Sequence, residues 1–253
     1  MTDTPAKNYT REEYVYLAKL YERAERFDDM VKFINKFVEL DPSLTNEERN
    51  ILSAGYKNVI SNKRASWRLL NSMEKKEEKK NSPQLTYLKE VKTNIENEMI
   101  KICTDIQKVI DIYLLPNAKD SETKVFFLKL KGDYYRYNSE FALGSDFDNS
   151  VNLADKAYKE AYEIANKDIP IANSTRLGLA LNYSVFYYEI KNLKEEACTI
   201  AKNAFDEAMK VLDELINDPD FFVRMEIAKQ KYGLDILIND SNYHVRICVA
   251  REG

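Results

Sequence analysis

Residues 45–76 read TNEERNILSAGYKNVISNKRASWRLLNSMEKK. Thr45 and Glu48 stand at capping-box spacing, in which hydroxyl and carboxylate each satisfy a backbone N–H orphaned at a helix start. Apolar and charged residues then alternate at three- and four-residue steps, which predicts one long amphipathic helix. Along it, Lys57, Arg64 and Arg68 lie at offsets of seven and eleven. At ~100° per residue these three fall within roughly 20° of a common line, forming one basic stripe.

The same punctuation recurs outward from this segment. Thr10 with Glu13 repeats the capping box, and Ser82-Pro83 reads as an N-cap followed by proline at the first helical position. Asp41-Pro42, Leu115-Pro116, Ile169-Pro170 and Asp218-Pro219 mark helix ends. Nine helices are predicted, at about 10–24, 26–40, 46–76, 83–115, 120–144, 149–168, 174–190, 194–216 and 221–238, with no strand. The run from Glu74 to Asn81 reads as a solvated helix end and turn, and residues 239–253 show no pattern and are expected to form a mobile tail. Short connections imply antiparallel helical hairpins in one all-α domain over residues 1–238. A solenoid of tetratricopeptide type fits the periodicity nearly as well, although no 34-residue self-similarity supports it.

Composition limits the function. The 253 residues are 44% hydrophobic with six glycines and six prolines, as expected of a helical chain with a real core. A net charge of −4, mixed in sign, argues against nucleic-acid and membrane partners, so any cationic site is a local patch. Cys103, Cys198 and Cys248 are widely spaced without a CxxC, which fits reduced thiols and no bound metal. Residues 1–7 lack an apolar signal region and no run approaches the ~20 residues of a membrane span, so a cytoplasmic location is expected.

Acid–base and metal chemistry find little support. His244, the single histidine, falls in the expected tail and reads as a surface residue. One histidine cannot supply a di-iron bundle, Asp28-Asp29 reads as a helix N-terminal acidic pair, and there is neither a GxSxG setting nor a phosphate-cradling glycine loop. No catalytic residue and no cofactor is expected. Tyr134-Tyr135 and Tyr187-Tyr188 read as core rather than as a stacking platform. On the fifth helix Lys129 and Arg136 stand seven apart, with Asp133 three residues before Arg136 and Tyr137 just after it. Arginine forks with a lysine and a tyrosine hydroxyl suit a phosphate dianion, whereas either stripe alone reads more readily as ordinary surface charge.

Three blocks carry a family resemblance. Residues 49–68, RNILSAGYKNVISNKRASWR, closely resemble the first signature of the 14-3-3 proteins. Residues 128–137, LKLKGDYYRY, resemble the family's phosphate-clamp helix, and residues 176–190, RLGLALNYSVFYYEI, are similar to the start of its second signature. The likeness runs over roughly residues 12–216. It implies a cup-shaped, nine-helix protomer that pairs through its first four helices (about 10–115). It also implies one amphipathic groove built from the helices at about 46–76, 120–144, 174–190 and 221–238.

By position, the resemblance assigns Lys57, Arg64, Arg136 and Tyr137 to the phosphate and Asn182 to the ligand backbone. Glu189 would orient polar partners, Leu181 and Val185 would form the apolar wall, and Lys129 would sit at the rim. Leu20, Ala24, Arg26, Asp29, Ser66 and Glu98 would lie at the dimer seam. The sequence departs from the family at Gly233 and Leu237, which stand where an asparagine and a tryptophan are usual, so phosphate is expected to carry unusually much of the affinity. Asn94 replaces the lysine that usually pairs with the acid at Asp29, Val91 replaces a tyrosine, and the tail holds Arg246 and Arg251 instead of an acidic run. The implied function is a phosphoserine/phosphothreonine-dependent adaptor that masks, clamps or bridges client proteins, as a homodimer or a heterodimer with a paralogue. The alternative is a helical interaction scaffold that has lost phosphate dependence.

Overall fold

The computed structural model describes residues 8–80 and 82–252, and every regular element among them is helical. In chain order these are α1 (Arg11–Arg23), α2 (Phe27–Leu40), α3 (Asn46–Lys79), α4 (Leu85–Val109), α5 (Ser121–Ser139) and α6 (Gly144–Asp168). They continue with α7 (Ser174–Glu189), α8 (Lys194–Ile216), α9 (Phe221–Lys229), α10 (Leu234–Leu237) and α11 (Tyr243–Glu252). Both capping boxes form: Thr10 and Thr45 each accept from the N–H three residues on, and Glu13 and Glu48 reach back. After α4 the chain loosens into a π turn (Ile110–Leu114) and a 3-10 turn (Leu115–Asn117), where Pro116 lacks the N–H that would continue the ladder.

Several boundaries differ from the sequence expectation. Ser82 does not cap α4; its Oγ accepts from Gln84 N at 3.3 Å in a tight turn, and the helix begins at Leu85. The fifth helix stops at Ser139, and the sixth starts at Gly144, where a φ of +55° redirects the chain earlier than expected. Within the run read as solvated, Glu74 is buried, ion-paired to Lys92 and 3.8 Å from Lys89.

The chain divides into two compact units, one up to Ala161 and one from Tyr162. In the first, α1–α5 pack around Met30, Ile34, Phe37, Leu52, Tyr56, Ile60, Met99, Ile106, Phe127 and Tyr134, none more than 1% exposed. Gly55 lets α2 lie close on α3, because a Cβ there would stand 2.6 Å from Ile34 Cδ1. An ion pair of 2.6 Å between Arg11 and Glu48 ties α1 to the start of α3.

The second unit departs most from expectation. The predicted helix over 221–238 is broken where Lys231 and Gly233 take φ values of +59° and +64°, which ends α9 and starts the short α10. The segment expected as a mobile tail contains α11, whose Val245 and Val249 are buried one turn apart against Ile216, Ile227, Ala228 and Leu237. Arg224 fixes this arrangement by clasping Asp240 through two bonds of 2.7 and 3.0 Å. Helix α11 was illegible because its apolar stripe is two valines wide and is defined by partners elsewhere in the chain.

Gly144 and Gly233 share a left-handed backbone, but an added Cβ meets nothing within 4 Å at Gly144 and lies 2.6 Å from Ile216 Cδ1 at Gly233. Gly144→Ala is therefore expected to cost about 1 kcal/mol from backbone strain alone, and Gly233→Ala about 1 kcal/mol more. Urea denaturation of both proteins checks this; equal losses would mean that Ile216 simply swings aside.

Candidate functional site

Helix α5 organises the chemistry of the first unit. Asp120 caps it, accepting from Thr123 N at 2.8 Å, and its inner face presents Asp133 and Arg136, which are only 4% and 6% exposed. Between them and α6 there is no room for a side chain at position 132: a Cβ on Gly132 would lie 2.8 Å from the ring of Tyr158. The glycine thus lets the Tyr158 ring sit close against α5 and brings its hydroxyl to the buried charges.

That hydroxyl donates to Asp133 Oδ1 at 2.5 Å and accepts from Arg136 Nε at 3.2 Å. The carboxylate also receives Lys129 Nζ at 3.0 Å and faces Arg136 Nη2 at 3.5 Å. Burial by itself pushes Asp133 up, but the charges of Lys129 and Arg136 and the bond from Tyr158 outweigh it and hold the carboxyl below its ordinary value. Burial pulls Arg136 down, and Tyr158 and Asp133 more than reverse this, so the guanidinium stays charged. Burial, followed by Asp133, raises the Tyr158 phenol well above its ordinary value, so it keeps its proton.

Tyr137 joins this network to the basic stripe of α3. Its ring centroid lies 4.1 Å from the Arg64 guanidinium and 4.7 Å from that of Arg136, so two arginines flank one aromatic ring. Arg64 is held from its other side by Glu140, through Nε at 3.0 Å and a second bond from Nη2, and Arg68 reaches the same carboxylate at 3.2 Å. Lys57 is exposed and forms no ion pair among the described residues. Arg64, Arg136 and Tyr137 are therefore brought together as the sequence suggested. Lys129, expected at the groove's rim, spends its ammonium on Asp133. Tyr158, Gly132 and Glu140 were missed; Glu140 sits one turn after Arg136, but its partners lie on α3, a relation that helical periodicity does not report.

The remaining candidates fall as follows. On α7, Leu181 and Glu189 are exposed and Asn182 and Val185 half-buried; the expected core residue Tyr188 is half exposed. Gly233 is the left-handed start of α10, and Leu237, 1% exposed, fills the core of the second unit, so neither stands as a groove residue on a continuous ninth helix. At the expected seam, Leu20, Ala24, Arg26, Ser66 and Glu98 are exposed. Asp29 was expected to lack a cation because of Asn94. Instead Arg26 and Lys32 of its own chain reach it at 2.5 and 2.9 Å and hold its carboxyl below the usual range, with Lys32 the larger influence. Glu98, also expected at the seam, is paired with Lys63 of its own chain.

The profile of the 14-3-3 protein family matches residues 17–221. The chain belongs to the 14-3-3 family. It is 53% identical over 205 residues to a 14-3-3 protein homolog of Trichoderma harzianum, covering 81% of this chain and 78% of that one. It is 52% identical over 209 residues to a 14-3-3-like protein of Arabidopsis thaliana, covering 82% and 83%. It is 51% identical over 207 residues to the checkpoint signal transducer rad24 of Schizosaccharomyces pombe, covering 81% and 77%. This 14-3-3 chain accordingly has a phosphoprotein-binding adaptor role. The family match ends at Phe221, the first residue of α9. Among the described residues no helix is long and apolar enough to cross a membrane.

The depressed carboxyl of Asp133 links the site to stability. Folding favours its charged form, so this contribution is fully present above the ordinary carboxylate value of about 4 and is lost as pH falls through the lower folded value. Asp133→Asn strands Arg136 and Lys129 and is expected to cost about 3–5 kcal/mol at neutral pH. The same variant should lose less further stability than wild type between about pH 5 and about pH 2, as chemical denaturation across that range would reveal.

Proposed function

We propose that Arg64, Arg136, Tyr137 and Lys57 bind the phosphate of phosphoserine or phosphothreonine segments in client proteins, and that the protein regulates those clients by masking, clamping or bridging them. The observation that carries this reading is the pair of guanidinium groups held against one tyrosine ring at 4.1 and 4.7 Å. A phosphate dianion matches the planar donor forks of arginine, and the exposed ammonium of Lys57 adds a point charge. Lys57, Arg64, Arg68, Lys129 and Arg136 outnumber the carboxylates paired with them, Asp133 and Glu140, which favours an incoming anion.

Following the family likeness, Leu181, Asn182, Val185 and Glu189 of α7 serve an extended client peptide, and Lys129 holds Asp133. Since Gly233 and Leu237 serve the second unit's own fold, no ligand contact is assigned to them, and affinity depends heavily on the phosphate. The protein works by binding and without turnover, in the cytoplasm. We further propose that it pairs as a homodimer, or with a paralogue, through a seam containing Leu20, Ala24, Arg26, Asp29, Ser66 and Glu98. In support, Leu69, Met73, Tyr87 and Val91 are exposed apolar residues on α3 and α4 that a partner would cover.

Arg64→Ala and Arg136→Ala are each expected to cost at least about 2 kcal/mol of phosphopeptide binding, and Lys57→Glu more. Fluorescence polarisation with a phosphorylated peptide and its unphosphorylated twin measures this; equal binding of the twins would favour the scaffold without phosphate dependence. Sedimentation velocity over a concentration series checks assembly. A protein still monomeric at about tens of micromolar is not the dimer proposed.

A further inference from the structure

Tyr158 lies outside the set of ligand residues, yet its hydroxyl is bonded to both Asp133 and Arg136. We propose that Tyr158 is the positioning residue of the phosphate site: it locks the plane of the Arg136 guanidinium and selects the edge offered to the ligand. This assignment rests on the phosphate-binding reading given above.

The geometry runs in one direction. The phenol keeps its proton and donates a hydrogen bond to Asp133 Oδ1 at 2.5 Å, which turns an oxygen lone pair toward Arg136 Nε–H at 3.2 Å. Nη2 on the same side faces Asp133 at 3.5 Å. The side-on edge of the fork, Nε with Nη2, is therefore held inside the protein. A phosphate meeting Arg136 is read by the end-on edge. Without the hydroxyl, a buried Nε–H would lose its acceptor, and the guanidinium would be free to rotate toward Asp133.

The tyrosine is itself held in place. Its side chain is fully buried, and its ring sits where Gly132 leaves no Cβ, so the hydroxyl cannot shift along α5 without moving the whole ring. Removing the oxygen while keeping the ring is the informative change. Tyr158→Phe leaves the packing on Gly132 intact and deletes one bond to each charged partner.

The experiment uses the full chain. In wild type, the Arg136 Nε–H proton signal should exchange with solvent far more slowly than that of exposed Arg23, and Tyr158→Phe should abolish the difference. Tyr158→Phe should weaken phosphopeptide binding about tenfold and leave binding of the unphosphorylated peptide unchanged. In an Arg136→Lys background, which lacks the fork, adding Tyr158→Phe should change phosphopeptide affinity less than about twofold. A tenfold loss persisting in that background, or an unaltered Nε–H signal in Tyr158→Phe, overturns the assignment and leaves Tyr158 a packing residue. Should Tyr158→Phe fail to fold, rapid Nε–H exchange in wild type would still overturn it, and slow exchange would support it. If wild type binds the two peptides equally, the phosphate reading falls, while the Nε–H measurement continues to decide the tether.

Discussion

A carboxylate that is 4% exposed cannot remain charged by itself, and in this protein Asp133 does so only because Lys129, Arg136 and Tyr158 converge on it from two helices. Each partner is constrained in turn. Lys129 is half-buried by the pairing, Arg136 is brought inside, and Tyr158 reaches the pair only because residue 132 is a glycine. Arg136 and Arg64 both stack against the ring of Tyr137, so the order imposed by one buried charge extends to the basic stripe of α3.

Glu140 plays the complementary part. By holding Arg64 through two bonds and Arg68 through a third, it keeps like charges close together when no ligand anion is present. In the phosphate-binding reading proposed above, an anion would compete with Glu140 for Arg64 but meet Arg136 already tethered through its inner edge. The two arginines therefore contribute differently: one is held by a partner at the rim, the other by a buried network.

Elsewhere, ion pairs within the chain satisfy charged groups at the proposed seam. Arg26 and Lys32 neutralise Asp29, and Lys63 neutralises Glu98. Such exposed pairs are worth little individually, so pairing of two chains would depend on the apolar side chains left exposed on α1, α3 and α4. The second unit follows another logic: Arg224 and Asp240 form a clasp around which α9, α10 and α11 close a small apolar core.

The sequence by itself determined the helical class, most helix starts and the two basic stripes, because capping boxes and three- and four-residue spacing are local properties written into neighbouring residues. The long signature blocks determined the family for the same reason: they are contiguous. Tertiary structure alone decided what depends on residues far apart in the chain. It placed Tyr158 on Gly132, gave Asp29 two cations of its own chain, and set Glu140 on α3. It also turned an apparently patternless end into α11, since two valines make a helix face only when Ile216, Ile227 and Leu237 are there to cover them. Burial and pairing are relations between distant residues, and no local periodicity records them.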